Sequence, residues 1–195
     1  MKLVYVCSPL KANEERNMAE NLKQAVEWCR QASEQGVLPL APHTIFTQYL
    51  DDTIPSDREK GLLMGIELLK QCKEVWVHGN ILSQGMVNEI IMAKTLNKPV
   101  IAKDMDRETY KDLMAYQGVF KEAFSDEQWE MLCFGLDEGL DVSSYANSSI
   151  AASCMMDRIH QLKNGPDNDP NIIDISEMKR YEPEADCEDE WEQEA

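Results

Sequence analysis

The amino-acid sequence predicts an α/β fold in which helices flank a parallel sheet. Short apolar runs alternate with longer segments of helical periodicity through the first hundred residues. The chain has 195 residues, of which 43% are hydrophobic and 28% are charged, an ordinary composition for a globular domain with a core. A regular order of strand and helix is typical of parallel sheets with right-handed crossovers. These observations favour a flavodoxin-like or Rossmann-like sheet with flanking helices.

The strands and helices of this sheet can be assigned in order. Strands are expected over residues 3–7, 37–43, 74–79 and 98–103. Helices are expected between them, over residues 14–35, 56–72 and 83–96. Gly36 is expected to end the first helix, and Ser56 and Ser83 to begin the second and third. Ligands of such sheets bind beyond the carboxyl ends of the strands, so the loops there are the first place to look for a site.

The remainder of the chain divides into two further parts. The α/β domain is expected to span residues 1–104, and the pattern then becomes helical only. Three helical segments, at 106–117, 125–139 and 149–165, form a predicted C-terminal all-helical extension over residues 105–165. Residues 166–195 have little hydrophobic periodicity, so an acidic disordered tail is expected there, with one short strand at 171–175.

Charge and cysteine usage exclude several classes of function. The net charge is −17, and the last fourteen residues carry eight acidic and no basic residues, which leaves −9 on the rest. An acidic surface repels a phosphate backbone, so no nucleic-acid partner is expected. No apolar run is long enough for a membrane span or a secretory signal, which predicts a cytoplasmic protein without a membrane partner. The six cysteines show no metal-ligand spacing, so reduced thiols, no metal and no cofactor are expected.

One carboxylate stands out in the segment SQGMVNEI, residues 83–90. Glu89 lies within an apolar helical run, and a buried carboxylate is costly unless it has a use. Its helical neighbours at i−4 and i+4 are Gly85 and Ala93, which offer no ion pair. Because helical side chains lean toward the N-terminus, the carboxylate should lie over Gly85 and leave a slot for a ligand. The alternative is a solvated surface glutamate.

Three other loops carry polar residues at the same edge of the predicted sheet. Ser8 follows the first strand in YVCSPLKAN and could hold an anion together with backbone N–H groups, or could simply belong to a capped helix entry. Gly79 ends the third strand before the loop NILS. The long connection after the second strand is either a functional loop or a solvated one in which Arg58 pairs with an aspartate. It contains His43, Asp51, Asp52 and Arg58.

The segments VYVCSPL, PLAPHTIF, LDD, DREKG, CKEVWVHG and SQGMVNEIIMA, taken in this order, resemble a known superfamily. This superfamily comprises the nucleoside 2-deoxyribosyltransferases and the deoxynucleoside 5′-monophosphate N-glycosidases, together with a phage and bacterial branch of unknown function. The resemblance covers roughly residues 1–103. One departure is Cys72-Lys73-Glu74, where relatives commonly read Cys-Asp-Glu. The segment GLDVSSYAN also resembles a short helical repeat of mobile-element proteins, which implies a phage or conjugative context.

The superfamily resemblance implies specific roles for residues of this chain. Glu89 corresponds to the glutamate that acts as the nucleophile or ion-pair partner at the sugar C1′. Tyr5 corresponds to the aromatic residue that follows the first hydrophobic residues, and Ser83 and Gly85 correspond to groups near the sugar or phosphate. Met86, next to Gly85, is expected among the substrate-binding residues. The base-contacting aspartate has no secure counterpart, and Asp51 or Asp52 could take its place or the place could be vacant. Relatives build their sites near subunit interfaces, which implies a homo-oligomer.

Two classes of function follow from these residues. The first is an N-glycosidase or deoxyribosyltransferase acting on a nucleoside or nucleotide, with Asp51, Asp52 or His43 as the acid that protonates the leaving base. The second is a non-catalytic nucleotide-binding sensor that keeps the fold without turnover. A helical scaffold that docks a partner would account for residues 105–195 but not for Glu89.

Overall fold

The computed structural model of the protein describes residues 1–12 and 16–164. Its strands are β1 (Leu3–Cys7), β2 (Leu38–Leu40), β3 (Glu74–His78) and β4 (Val100–Lys103). Its α-helices are α1 (Met18–Glu34), α2 (Pro42–Phe46), α3 (Pro55–Gln71), α4 (Gln84–Thr95), α5 (Arg107–Tyr116), α6 (Asp126–Asp137) and α7 (Ala152–Asn164). Short 3-10 turns at Lys121–Ala123 and Val142–Ser144 join the last three helices.

The four strands form one parallel sheet in the order β2-β1-β3-β4 within the described residues. β1 pairs with β2 on one side and with β3 on the other, with Tyr5 opposite Leu40 and Val75. The connection after β1 leads to one edge of the sheet, whereas the connection from β3 leads to the other edge. A crevice therefore opens between the carboxyl ends of β1 and β3, the usual ligand site of such sheets. The predicted α/β fold class is confirmed.

Alternation along the strands assigns each side chain to one of two faces. Tyr5 and Cys7 face the larger core cluster, which also includes Leu69 of α3 and Ile90 of α4. Val6 points to the opposite face, where it packs with residues of α1. Because residues of α5, α6 and α7 belong to the larger cluster too, the helices after β4 share one hydrophobic core with the sheet.

Several predicted boundaries agree with the structure, and their end signals act as expected. Gly36 follows α1 with φ +78, a left-handed conformation that favours glycine and ends the helix. The Ser83 hydroxyl accepts a hydrogen bond from the Met86 backbone N–H and caps α4. α1 begins at Met18 with Asn17 as its N-cap, four residues after the predicted start. The predicted tail over 166–195 and the strand at 171–175 lie outside the described residues.

Two predictions about the segment between β2 and α3 were wrong. The extended run predicted over 37–43 is a strand only at Leu38–Leu40, and α2 begins at Pro42. Ser56 does not begin α3, because Pro55 occupies the first turn and Ile54 is the N-cap residue without a side-chain hydrogen bond. Proline fits the first turn of a helix since its missing N–H would be unpaired there anyway.

Tyr145 and Asp141 of the GLDVSSYAN segment anchor the helical part, Tyr145 to α6 and Asp141 to the sheet. Tyr145 is buried and donates a hydrogen bond to the backbone carbonyl of Leu132, 3.2 Å away. A Cβ at Gly135 would overlap the Tyr145 ring, so only glycine fits there. The Asp141 carboxylate accepts a backbone hydrogen bond from Val100 at the edge of the sheet. Among the described residues, no helix is both long and apolar enough to cross a bilayer.

Candidate functional site

A cleft of about 170 Å³ lies beyond the carboxyl ends of β1, β2 and β3. Residues of α2, α3 and the first turns of α4 form its walls, β1 contributes Tyr5, and Ser8 follows directly after β1. This is the crevice that the strand order predicts. Nine of the predicted site residues line it: Tyr5, Ser8, His43, Asp52, Arg58, Ser83, Gly85, Met86 and Glu89.

Glu89 projects from α4 into this cleft and is held by neutral donors. The Tyr5 hydroxyl donates a hydrogen bond to the Glu89 Oε1, with 2.7 Å between the two oxygens. The Cys7 thiol donates a second one to the same carboxylate. Tyr5 is fully buried, so its ring fixes the hydroxyl in one place. A Cβ at Gly65 of α3 would lie 3.4 Å from that hydroxyl, an ordinary van der Waals contact, so Gly65 packs close to the Tyr5 oxygen.

The surroundings of Glu89 shift its ionisation in opposite directions. Burial raises the pKa of Glu89, because a carboxylate loses hydration at the wall of the cleft. The hydrogen bonds from Tyr5 and Cys7 and the positive charge of Arg58 act to lower that pKa and limit the rise. Burial also raises the pKa of Tyr5 well above its ordinary value, so the hydroxyl stays protonated and remains a donor.

Arg58 of α3 lies at the opposite wall and already has an anionic partner. Its Nη1 is 2.6 Å from the Asp52 Oδ1, and both side chains are partly exposed. A Cβ at Gly85 would lie 3.7 Å from the Arg58 Nη2, so the space over Gly85 is in contact with the guanidinium. Gly85 and Glu89 both line the cleft, and Arg58 lies beside the space over Gly85. The predicted pairing of Arg58 with an aspartate is present too, inside the cleft.

A second polar pair lies where β1 and β2 end. The Ser8 Oγ and the His43 Nε2 are 3.2 Å apart and form a hydrogen bond. Ser8 is only 6% exposed, and His43 is partly buried in α2. Burial lowers the pKa of His43 to about 4, so the imidazole is neutral near pH 7. The pair thus presents hydrogen-bonding groups without a net charge.

Two predicted site residues are not among those that line the cleft. Asp51 is exposed, and its carboxylate accepts hydrogen bonds from the backbone and the hydroxyl of Thr53 within its own loop. Gly79 has φ +95 and lies against Pro9 and Trp28. The structure therefore brings Asp52, but not Asp51, to the cleft.

Sequence reasoning missed several residues of the cleft. Cys7 does not itself line the cleft but contacts Glu89, and it was not singled out although strand alternation puts it on the same face as Tyr5. Gly61 and Gly65 are spaced one helical turn apart on α3, a spacing that could have indicated a close approach on that face. The other missed lining residues are Leu10, Lys11, Pro42, Phe46, Thr47, Leu50, Asp57, Leu62 and Gln84.

The chemistry available at the cleft is that of acids, hydroxyls and one imidazole. Across residues 1–12 and 16–164, no group of histidine, cysteine, aspartate and glutamate side chains is arranged to hold a metal ion. The groups at hand are a hydrogen-bonded carboxylate, an arginine-aspartate pair and a serine-histidine pair. Such a set can bind a polar organic molecule and stabilise positive charge that develops beside Glu89.

Comparisons with known proteins concern the α/β part of the chain. The chain belongs to the family described as Domain of unknown function (DUF7768), which matches residues 2–103. A solved structure of a 2-deoxyribosyltransferase from Bacillus psychrosaccharolyticus is similar, with 16% sequence identity and a TM-score of 0.42. The similarity covers 56% of this chain and 80% of that one. No curated protein matches the chain.

Proposed function

We propose that this protein breaks the N-glycosidic bond of a nucleoside or nucleotide, as an N-glycosidase or a deoxyribosyltransferase. The observation that carries the proposal is the Glu89 carboxylate, which lines the cleft and accepts the Tyr5 hydroxyl at 2.7 Å. The resemblance of the segments around Tyr5, Ser83 and Glu89 to the deoxyribosyltransferase superfamily supports the same assignment.

The physical argument begins with charge. Cleavage of an N-glycosidic bond develops positive charge on the sugar ring, at C1′ and the ring oxygen. A carboxylate placed about 3 Å from C1′ stabilises that charge or captures the sugar covalently. Tyr5 and Cys7 hold the Glu89 carboxylate in place without neutralising it, because both donors are uncharged. Attack by water on the sugar then gives hydrolysis, whereas attack by a second base gives transfer.

The remaining walls of the cleft suit the other parts of such a substrate. Ser83 and the first turn of α4 lie beside Glu89 and offer donors to the sugar hydroxyls or to a phosphate. Arg58 can contact the same groups if Asp52 releases it. The Ser8–His43 pair lies where β1 and β2 end and is available to the base.

The second candidate is a nucleotide-binding sensor without turnover. It is favoured by the contact between Arg58 and Asp52, which occupies the arginine in a cleft where a transferase would use a free aspartate for the base. A sensor would bind nucleosides or nucleotides and release them intact.

A panel of ribo- and deoxyribonucleosides and their 5′-monophosphates, incubated with the protein and separated by liquid chromatography, tests the proposal. We expect free base to appear from at least one member, and a second base in the mixture to yield an exchanged nucleoside if transfer occurs. Calorimetry on the same panel identifies a sensor, which would bind a member without releasing base. Neither release nor binding across the panel would contradict both candidates.

A further inference from the structure

We propose that Ser8, oriented by His43, donates a hydrogen bond to the leaving base as the glycosidic bond breaks. The inference rests on the proposed function and adds the group that assists departure of the base. Ser8 is the residue that contacts the base, and His43 is a positioning residue that acts through it. Both side chains line the same cleft as Glu89.

The carboxylates that could have served as an acid are committed elsewhere. Asp51 is exposed and bound to Thr53 outside the cleft lining. Asp52 lies 2.6 Å from a guanidinium nitrogen of Arg58, and this ion pair engages its carboxylate. His43 could act as an acid only in its protonated form, but burial lowers its pKa to about 4. Asp57 also lines the cleft, but its carboxylate accepts the Asp51 backbone N–H and pairs with Lys60. The Ser8 hydroxyl is a neutral donor that can take the role instead.

The geometry of the pair suits that role. Ser8 is 6% exposed, so its hydroxyl is shielded from bulk water. A hydrogen bond to developing negative charge is stronger in such a shielded site than in water. With the imidazole proton on Nε2, His43 donates to the Ser8 Oγ across the 3.2 Å contact. The serine proton is then directed away from the histidine and into the cleft. A serine without this partner would rotate among several acceptors.

The step balances without any further reactant. The bond from C1′ to the base nitrogen breaks, and its electron pair stays on the base. The Ser8 O–H bond remains intact and stabilises the resulting negative charge through its hydrogen bond. In hydrolysis, the hydroxyl of one water molecule is added to C1′ and the remaining proton of that water goes to the base. The Glu89 carboxylate and the Ser8 hydroxyl thus act at the two ends of the same breaking bond.

The test compares two substrates that differ in the negative charge that develops on the leaving base. The base of 2′-deoxyadenosine leaves with developing negative charge, whereas that of 7-methyl-2′-deoxyguanosine is already cationic and leaves neutral. For Ser8→Ala we expect kcat/KM on 2′-deoxyadenosine to fall by about 10- to 100-fold, the range for a lost hydrogen bond to a charged group. The loss on 7-methyl-2′-deoxyguanosine should be at least about fivefold smaller.

Substitutions of His43 test its positioning role. The Gln side chain in His43→Gln keeps an amide N–H that can donate to Ser8, whereas that in His43→Leu keeps none. We expect His43→Gln to retain more activity than His43→Leu on 2′-deoxyadenosine, with a smaller difference on the methylated substrate. Thr47→Val is the matched control, because Thr47 also lines the cleft but its hydroxyl donates to the His43 carbonyl. Its effect should be the same on both substrates.

Each outcome separates this inference from the proposed function. Equal losses on the two substrates in Ser8→Ala would show that Ser8 supports the sugar or the fold, and would overturn the inference while leaving glycosidase activity in place. Unchanged activity on both substrates would overturn it as well. A parent protein that cleaves neither these two nor any other nucleoside or 5′-monophosphate would overturn the proposed function and the inference together. Circular dichroism and thermal melts confirm that each variant is folded.

Discussion

Replacing Glu89 by glutamine changes one atom of the side chain and removes its charge. The amide is nearly isosteric with the carboxylate, and its Oε1 can still accept the hydrogen bond from Tyr5 that is 2.7 Å long in the parent protein. The apolar contacts of α4 with the sheet do not involve the carboxylate, so the fold should be kept. Glu89→Gln therefore isolates the negative charge from the shape of the cleft.

The expected effect on activity follows from what the charge does in the cleft. Its direct hydrogen-bond donors are the uncharged Tyr5 and Cys7, so no bonded cation neutralises the charge that a sugar cation would meet. Loss of one such electrostatic stabiliser reduces turnover by about 10²-fold or more, which corresponds to roughly 2.7 kcal/mol of transition-state stabilisation. The affinity for the intact substrate, which carries no positive charge at C1′, should change little.

Base release and calorimetry on parent and variant measure the two quantities separately. Glu130→Gln is a suitable control, because it makes the same change at an exposed position of α6. Unchanged turnover in folded Glu89→Gln would refute the catalytic assignment of this residue. If the parent protein cleaves nothing and the substitution alters affinity alone, the sensor is the correct function.

The same substitution should also alter the dependence of stability on pH. Because burial raises the pKa of Glu89 in the folded protein, the protonated form is favoured there relative to the unfolded chain. The stabilisation linked to this group is fully present below the unfolded pKa and is lost as the pH rises through the folded pKa. The melting temperature of Glu89→Gln should therefore be no lower than that of the parent at pH 8. Any difference in melting temperature in favour of the variant should shrink toward pH 4. In the parent, activity should fall as the pH drops through the raised pKa of Glu89.

Three further predictions concern the cleft, the tail and assembly. Gly65→Ala places a Cβ 3.4 Å from the Tyr5 hydroxyl and Gly61→Ala meets its nearest atom at 3.7 Å, both ordinary contacts, so each variant should keep turnover within about twofold of the parent; a tenfold loss in Gly65→Ala alone would contradict this. Deleting residues 182–195, where Trp191 is the only large hydrophobic residue, should leave the melting temperature and ligand binding unchanged, and a drop of many degrees would disprove this. Light scattering should give a dimer or larger assembly, and a sharp monomer mass would count against it.

Local sequence signals were sufficient to predict much of the fold and the position of Glu89. Capping by Ser83, helical periodicity and the absence of an ion-pair partner at i±4 all act within one or two helical turns, and these predictions agree with the structure. The parallel sheet followed from the alternation of strands and helices, whereas the strand order came only from the structure. The short helix α2 was missed because Pro42 reads equally well as the end of a strand and as the first turn of a helix.

The contacts that define the cleft could not be predicted from such signals. Ser8 and His43 are 35 residues apart in the chain, and Tyr5 and Glu89 are 84 apart. Periodicity assigns a residue to a face but not to a partner on another element. Whether Asp51 or Asp52 reaches the cleft is likewise decided by a turn in which Thr53 binds Asp51, and adjacent aspartates look the same in the sequence.

The charges of the cleft indicate what kind of ligand completes it. Arg58 is paired with Asp52, His43 is neutral near pH 7, and the direct donors to Glu89 are uncharged. The carboxylate is therefore held in a partly desolvated position where its ionisation is unfavourable. A surface role would need none of these arrangements, since an exposed glutamate is hydrated at no cost. Positive charge that appears on a bound molecule beside Glu89 would offset the free-energy cost of keeping this carboxylate ionised. A glycosidic bond that is breaking supplies such charge at C1′.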